Sequence, residues 1–466
     1  MDILNLTALE LAKEIRDGNI SCVDALKAVY EAYLQKDDSI NAYVSFDIDS
    51  AIIKAEEIQK RIDKREIKSP LAGVPIAIKD NICVRGLKAT CGTKMLENFV
   101  PFYNATVIDR LEQADMVVLG KTNMDEFAMG ASGETSYFGP TKNPVDKTRI
   151  PGGSSSGSAA AIAGREAIIA LGSDTGGSVR QPASYCGLFG FKPTYGLVSR
   201  YGLIAYASSF DQIGPITRDA DDCMALMNII SGLDPLDSTS LDADVNFGEY
   251  EEIDFTKVKI AILKQCADIN PITEKIKTLG AEIDYIDIPF FDYAVAAYYI
   301  IATAEASSNL SRYDGVKYGY KTSDYNNLTE MYRKTRSEGF GGEVKKRILL
   351  GTFVLSSGYF DAYYKKALKI KSLVESEFKK LFAKYDFVLT PTTVGGAPML
   401  NELKNDSLRQ YTDDLFTVPV NLAGLPAVSF PYGQDANGLP LGAQLIGPQL
   451  SDAKVISAAK CFSEVV

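Results

Sequence analysis

From about Ala42 onward, short runs rich in β-forming residues alternate with amphipathic helical segments, and no other feature constrains the fold of this chain as strongly. Residues 42–46 are followed by a helical stretch reaching Lys64 and then by residues 74–78. A helix carrying Val107, Leu111 and Ala114 leads into residues 116–119, and a short apolar run occupies 167–171. Strand texture returns at 388–390, 427–431 and 441–446. A sheet assembled from both ends of the sequence leaves no point at which the chain divides into separate domains. The expected class is therefore α/β: one large domain over residues 1–466, with a mixed β-sheet core covered by helices on both faces. At 46% hydrophobic and 23% charged, the composition supplies the apolar material for such a core.

The helices around this sheet have their own signals. Thr7 and Glu10 are spaced as a capping box, and Gly18 stands where the first helix should stop. Ser21 and Asp24 repeat the start signal for a second helix through about Gln35, so residues 1–40 are expected to form a helical hairpin that serves packing alone. Residues 234–244 form an acidic connector. From about 290 to 380, tyrosine and alanine recur at helical spacing, which predicts a helical region packed on the sheet.

The chain contains no histidine. That absence removes the Ser-His-Asp triad and the His-Glu-x-x-His zinc site together. Acid–base work near neutral pH then falls to a carboxylate, a cysteine, a tyrosine or a lysine with a depressed pKa. The seven cysteines are scattered, odd in number and never in a Cys-x-x-Cys pair, so reduced thiols and no bound metal are expected. No run approaches the roughly eighteen apolar residues that cross a bilayer, and no basic segment leads into an apolar one at the start. A cytoplasmic protein without a membrane span is expected. A net charge of -11 repels phosphate backbones, which disfavours direct nucleic-acid binding by this chain.

Three segments carry chemistry. Residues 152–158 read GGSSSGS, a composition that alone describes a flexible linker, but Ala159, Ala160, Ala161 and Ile162 follow at once. A rigid turn into a helix N-terminus is the better reading, and neither a Walker loop nor a dinucleotide fingerprint is present. Residues 172–184 read GSDTGGSVRQPAS, in which adjacent glycines let backbone N–H groups approach a ligand as an oxyanion hole requires, with Ser178 just beyond. Alone, this segment is better read as an ordinary glycine turn with a capping serine. Residues 73–81 read GVPIAIKDN, an apolar strand ending in Lys79, which alone is a solvated charge beside Asp80. With histidine excluded, a lysine buried against two serines is a remaining way to make a hydroxyl nucleophilic.

In order and local sequence, IKDN with Lys79, PGGSSSGSAAAIA with Ser154 and GSDTGGSVRQPAS with Ser178 resemble the amidase signature family. The resemblance implies that Ser178 attacks an amide, Ser154 passes the proton and neutral Lys79 accepts it. It also implies an oxyanion hole from the N–H groups of Thr175, Gly176, Gly177 and Ser178, and a cis peptide before Ser154. A free lysine titrates near 10.4, so such a base needs a depression of about three pH units, roughly 4 kcal/mol, supplied mostly by burial.

Further blocks, including FAMGASGETSYFGPTKNP and FTVPVNLAGLPAVSFP, are similar within that family to the A subunits of bacterial glutamyl-tRNA(Gln) amidotransferases. That likeness implies a glutaminase whose ammonia passes to a B subunit, where ATP and magnesium activate tRNA-bound glutamate. A small C subunit would wrap the glutaminase in a heterotrimer, tRNA would bind mainly through the B subunit, and this chain would hold no cofactor itself. Some such complexes also act on aspartyl-tRNA(Asn). The positions matching the glutamine anchors are Arg347 in EVKKRILLGTF and Asp414 in YTDDLFTVPVN, with Tyr298 lining the same pocket. Arg347 read alone is one more charge on a basic helix face, and Asp414 a cap for a following strand. Ser156 departs from the family's usual glycine, the region 265–273 is shorter than usual, and the chain ends at Val466 without a longer basic tail. A stand-alone small-amide hydrolase and a non-catalytic scaffold share the same motifs.

Overall fold

In the computed structural model, which describes residues 2–248, 250–264, 266, 269–289, 291–403 and 412–464, the alternation becomes one mixed sheet of eleven strands among those residues. In chain order these are β1 (Tyr43–Phe46), β2 (Pro75–Lys79), β3 (Val117–Thr122), β4 (Ile169–Asp174), β5 (Phe189–Lys192), β6 (Gln212–Thr217), β7 (Lys259–Leu263), β8 (Glu282–Ile286), β9 (Phe387–Pro391), β10 (Ala427–Gln434) and β11 (Pro440–Ile446). Across the sheet they run β1-β3-β2-β4-β6-β5-β10-β11-β9-β7-β8. β2 pairs in parallel with β3 and β4, and β7 with β8 and β9, while the remaining pairs are antiparallel. The late strands β10 and β11 thus lie between β5 and β9, which interleaves the two ends of the chain in one domain. Every residue of β2, β4, β5, β6 and β9 is buried, as strands covered on both faces must be.

The first helices are α1 (Ala8–Arg16), α2 (Cys22–Ile40), α3 (Ile48–Asp63) and α4 (Thr106–Gln113). The capping box is present at α1: the Thr7 side chain accepts from the Glu10 N–H and the Glu10 carboxylate accepts from the Thr7 N–H. Such a cap contributes about 1 kcal/mol to a helix. Ser21 caps α2, which continues past Gln35 through the polar residues to Ile40 and stops only at Asn41, whose left-handed φ of 59° ends the helix. The helix outruns its expected end at about Gln35 because Asp37 accepts from the Ala42 N–H and Lys36 donates to the Gly164 carbonyl, which anchors the polar stretch before Asn41. α2 packs chiefly on α3.

Next come α5 (Ser156–Ala163), α6 (Arg180–Tyr185), α7 (Ala220–Ile230) and α8 (Asn270–Thr278). The stretch from 290 to 380 holds α9 (Phe291–Asn309), α10 (Leu328–Gly339), α11 (Gly342–Leu355) and α12 (Lys365–Leu381), and α13 (Val418–Leu422) and α14 (Asp452–Glu464) complete the set used below. α5 lies on β2, β3, β4 and β6, and α6 on β5, β10 and β11. α1 docks on α7, and α7 and α14 pack against each other over β5, β6 and β10. α9 is the hub of the remaining helices, touching α11, α12 and α13.

Four strands escape the sequence pattern. β6, reading QIGPIT, carries a glycine and a proline, both depleted in strand interiors, yet a side chain at Gly214 would overlap the Phe191 carbonyl of β5. β5 is only four residues long, β7 is a brief apolar run, and β8 is an edge strand with alternating polar residues, largely exposed. The seven cysteines form no disulfide. Among the described residues no helix is long and apolar enough to cross a membrane. Residues 265, 267 and 268 of the shortened region, and Val466, lie outside the described residues.

Candidate active site

The parallel register of β2 and β4 sets Ile78 beside Leu171, so the next residue, Lys79, emerges at the strand end beside Ser173 and beneath the start of α5. Lys79 is fully buried. Its Nζ donates to Ser154 Oγ at 2.8 Å, Ser155 Oγ at 2.9 Å, Ser173 Oγ at 2.9 Å and the Ser173 carbonyl at 3.2 Å. Burial brings its pKa from the ordinary 10.5 down to about 7, against the opposing pull of Cys91, Asp125, Asp174 and Asp211. The reading of Lys79 as a solvated partner of Asp80 is therefore wrong. Asp80 faces the buried ammonium of Lys121 at 3.6 Å and accepts from the Thr90 hydroxyl. A neutral amine offers a lone pair as well as two hydrogens. Ser155 commits its own hydrogen to the Ser173 carbonyl at 3.1 Å, so in the Lys79–Ser154–Ser155 cluster Ser154 can present its hydrogen to that lone pair.

The GGSSSGS segment is a rigid turn into α5, as its alanine-rich continuation predicts. The Gly153–Ser154 peptide is cis. Gly153 has no room for a side chain, because a Cβ there would overlap the Asp125 carboxylate. The Gly153 N–H donates to Gln181 Oε1 at 3.0 Å, and the Ser155 N–H donates to the Ser178 carbonyl at 3.1 Å, which joins the two motif segments.

Asp174, at the end of β4, organises the glycine turn before Ser178. Its carboxylate accepts from the N–H groups of Gly177 (2.9 Å) and Val179 (3.1 Å), from Arg180 Nε and Nη2 (3.0 and 2.9 Å) and from Asn421 Nδ2 (2.9 Å). Burial alone would raise its pKa, but the Arg180 guanidinium, with Lys192 and the Asn421 amide, holds the carboxyl well below the usual range. The expected oxyanion hole is narrowed by this contact, since the Gly177 N–H is already donated to Asp174. Among the described residues the N–H groups of Thr175, Gly176 and Ser178 have no such commitment.

Ser178, 8% exposed, opens into a pocket that Tyr298, Tyr299, Arg347 and Asp414 also line. α9 supplies both tyrosines, α11 supplies Arg347, and the turn before α13 supplies Asp414. Arg347 is 5% exposed, so it is not one more charge on a solvated helix face. Its Nε donates to Glu343 at 2.8 Å and its Nη1 to Tyr206 Oη at 2.8 Å, with the guanidinium over the rings of Tyr206 and Tyr299. Asp414 precedes a helix rather than a strand, and its carboxylate accepts from Tyr299 Oη at 2.6 Å. Burial pushes its pKa up to about 7. Asp211 links the glycine turn before Ser178 to the partner of Arg347, accepting from the Thr175 hydroxyl at 2.7 Å and the Tyr206 N–H at 2.9 Å.

Residues from distant parts of the sequence thus meet in two places: Lys79 with Ser154 in one buried cluster, and Gly176, Gly177, Ser178, Tyr298, Arg347 and Asp414 around one pocket. Ser155, Ser173, Asp174 and Gln181 lie inside the motif blocks, yet reading those blocks as nucleophile, bridge and base passes over them. Glu343 sits four residues before Arg347, a spacing that signals a helical ion pair. No sequence pattern points to Tyr206 or Asp211 as partners of this pocket. Among the described residues no cluster of three or more carboxylate or thiol side chains could hold a metal.

The glutamyl-tRNA(Gln) amidotransferase A chain of Agathobacter rectalis is 51% identical to this chain, with 100% of the chain and 94% of the relative covered. Its counterpart from Lachnospira eligens is 49% identical, with 100% and 99% covered. The crystal structure of the corresponding glutamyl-tRNA(Gln) amidotransferase chain from Thermotoga maritima superposes with a TM-score of 0.78 at 39% identity, covering 98% of this chain and 94% of that one. A family model described as Amidase matches residues 24–456, a span that takes in the buried lysine, the serine turn, Ser178 and both charged side chains of the pocket. The likeness is therefore one of whole chain and site together, and the chain belongs to the amidase family.

Proposed function

We propose that this chain is the glutaminase subunit of a tRNA-dependent amidotransferase. Ser178 attacks the side-chain carboxamide carbon of glutamine while its proton passes through Ser154 to neutral Lys79. The developing oxyanion takes hydrogen bonds from the N–H groups of Thr175, Gly176 and Ser178. Proton return through Ser154 releases ammonia, which a B subunit uses with ATP and magnesium to convert Glu-tRNA(Gln) to Gln-tRNA(Gln). A C subunit completes a heterotrimer, tRNA is held mainly by the B subunit, and the assembly works in the cytoplasm. The observation that carries the glutamine reading is that Arg347 and Asp414, one cation and one anion, line the pocket of Ser178. A free amino acid presents a carboxylate and an ammonium, and pairing both in a closed pocket needs both signs. An unselective amide hydrolase has no use for this pair.

Arg347→Ala and Asp414→Ala are expected to raise the KM for glutamine by about 10²-fold or more while changing the labelling of Ser178 by a fluorophosphonate probe far less. Equal loss of both activities would reject the anchoring role.

The two depressed or raised groups also set a pH dependence. Lys79 works as the unprotonated amine and Asp414 as the carboxylate, and both titrate at about 7. Each is in its working form above that value and lost below it. The acid limb of log kcat/KM for glutamine should therefore approach a slope of about two, because kcat/KM reports the free enzyme. Asp414→Asn should reduce that slope to about one, leaving only the Lys79 titration. A slope that does not change in this variant would show that Asp414 does not titrate with substrate capture.

A further inference from the structure

Gln181, the fourth residue of the Ser178-V-R-Q run, is 3% exposed and lines the pocket of Ser178. Its Oε1 takes the Gly153 N–H at 3.0 Å. Because that partner is a backbone donor, the atom facing it must be the oxygen, which settles the orientation of the amide. Nε2 then points away from Gly153, and among the described residues it is a buried donor with no partner. A buried amide donor left unpaired costs about 1–3 kcal/mol, so its retention in a pocket argues for an acceptor that arrives with the reaction.

The position of Gln181 selects the acceptor. Through Gly153 it is fastened to the residue before Ser154, the group that hands a proton to the leaving nitrogen in the proposed mechanism. A substrate carboxamide offers Ser154 an NH2 group, whose lone pair is delocalised and accepts no hydrogen bond. Once ammonia has gone, the water that hydrolyses the acyl-enzyme must approach Ser154 in its turn, and its oxygen has a lone pair to spare. We propose that Gln181 Nε2 donates to this water and orients it for deacylation. This rests on the glutaminase reading for the identity of the acyl group.

The step balances without any further reagent. One water hydrogen passes to Ser154 Oγ as the Ser154 hydrogen passes to Lys79 Nζ, and the water oxygen bonds to the ester carbon. When the intermediate collapses, the bond from carbon to Ser178 Oγ breaks, and the proton returns from Lys79 through Ser154 to Ser178. The product acid then leaves as its carboxylate, its remaining proton passing to solvent. Acylation needs no contact from Nε2, so the two half-reactions separate.

The test uses the full chain with Gln181→Met, which keeps the side-chain length but not the donor, and Gln181→Glu, which keeps an oxygen for Gly153. Glutamine and p-nitrophenyl acetate serve as acyl donors, with rapid-quench detection of ammonia or nitrophenol. Both variants are expected to give a burst equal to the enzyme concentration, to accumulate acyl-Ser178 in intact-mass spectra, and to turn over at least about 10-fold more slowly than the wild type. Hydroxylamine, a stronger nucleophile than water, should restore turnover of the acyl-enzyme. Fluorophosphonate labelling of Ser178 should stay within about twofold, showing a folded relay. Unchanged turnover, or a loss of turnover matched by an equal loss of burst and labelling, would overturn the proposal. Absence of ammonia release from glutamine by the wild type would instead count against the glutaminase reading, while the ester arm still decides the role of Gln181.

Discussion

Lys79→Ala, Ser154→Ala and Ser178→Ala are each expected to lower glutamine hydrolysis by roughly 10⁴- to 10⁶-fold, and the Ser154→Ala/Ser178→Ala double variant to be hardly worse than the Ser178 change alone. The geometry supplies the reason. Lys79 Nζ reaches Ser154 Oγ at 2.8 Å but has three further acceptors around it, so the amine is held in one place and its lone pair is the sink for a single proton. Removing any member stops the same proton transfer, and losses within one transfer do not add. Lys79→Arg should be as inactive as Lys79→Ala, since a guanidinium does not deprotonate in a protein and cannot accept the Ser154 hydrogen. Turnover in variants whose circular dichroism matches the wild type is the measurement. Losses that multiply in the double variant would show that Ser154 and Ser178 act independently and would end the relay account.

The legibility of this site in the sequence follows from the kind of constraint each residue meets. Ser178 with its glycines and the serine run before α5 are ambiguous as isolated segments and become readable through their order and local sequence together, which resemble the amidase signature family. Lys79 is legible through the resemblance of its IKDN block to the family, and the missing histidine only makes room for a lysine base. Its bland alternative fails because the partner expected for it, Asp80, is taken by Lys121 on the neighbouring strand. That pairing depends on the parallel register of β2 and β3, which no local pattern encodes. The Gly177 N–H departs from expectation for a related reason, because the carboxylate that takes it lies three residues earlier and is aimed by Arg180, Asn421 and the sheet. The same contrast runs through the fold. Caps, alternating strands and the alanine-rich helix α5 can be read locally, whereas Gly214 of β6 leaves room for the Phe191 carbonyl of β5 and Gly190 of β5 leaves room for Val179 and Ala183 at the start of α6, which are tertiary reasons. Tyr206 and Asp211 are silent in the sequence since their roles are to hold other residues in place.

A complex assembled with Ser178→Ala should lose glutamine-dependent formation of Gln-tRNA(Gln) by about 10⁴-fold or more, yet keep near-normal formation when ammonium salt is supplied with ATP, magnesium and Glu-tRNA(Gln). The expectation follows from where nitrogen is set free and where it is used. Ser178 lies in a pocket bounded by this chain's own Tyr298, Arg347 and Asp414, and Lys79 and Ser154 are fully buried. In the proposed division of labour the activation of a tRNA-bound carboxylate belongs to the partner subunit. The hydroxyl of Ser178 contributes only the release of ammonia, so free ammonia replaces it. Arg347→Ala should behave in the same way, failing with glutamine and working with ammonium, because it too acts before ammonia exists. A stand-alone amide hydrolase would form no amidated tRNA from either nitrogen source, and a scaffold would show no dependence on glutamine for Ser178 to abolish. If the assembled Ser178→Ala complex also lost the ammonium-supported reaction, the division of labour between this chain and its partner would be wrong.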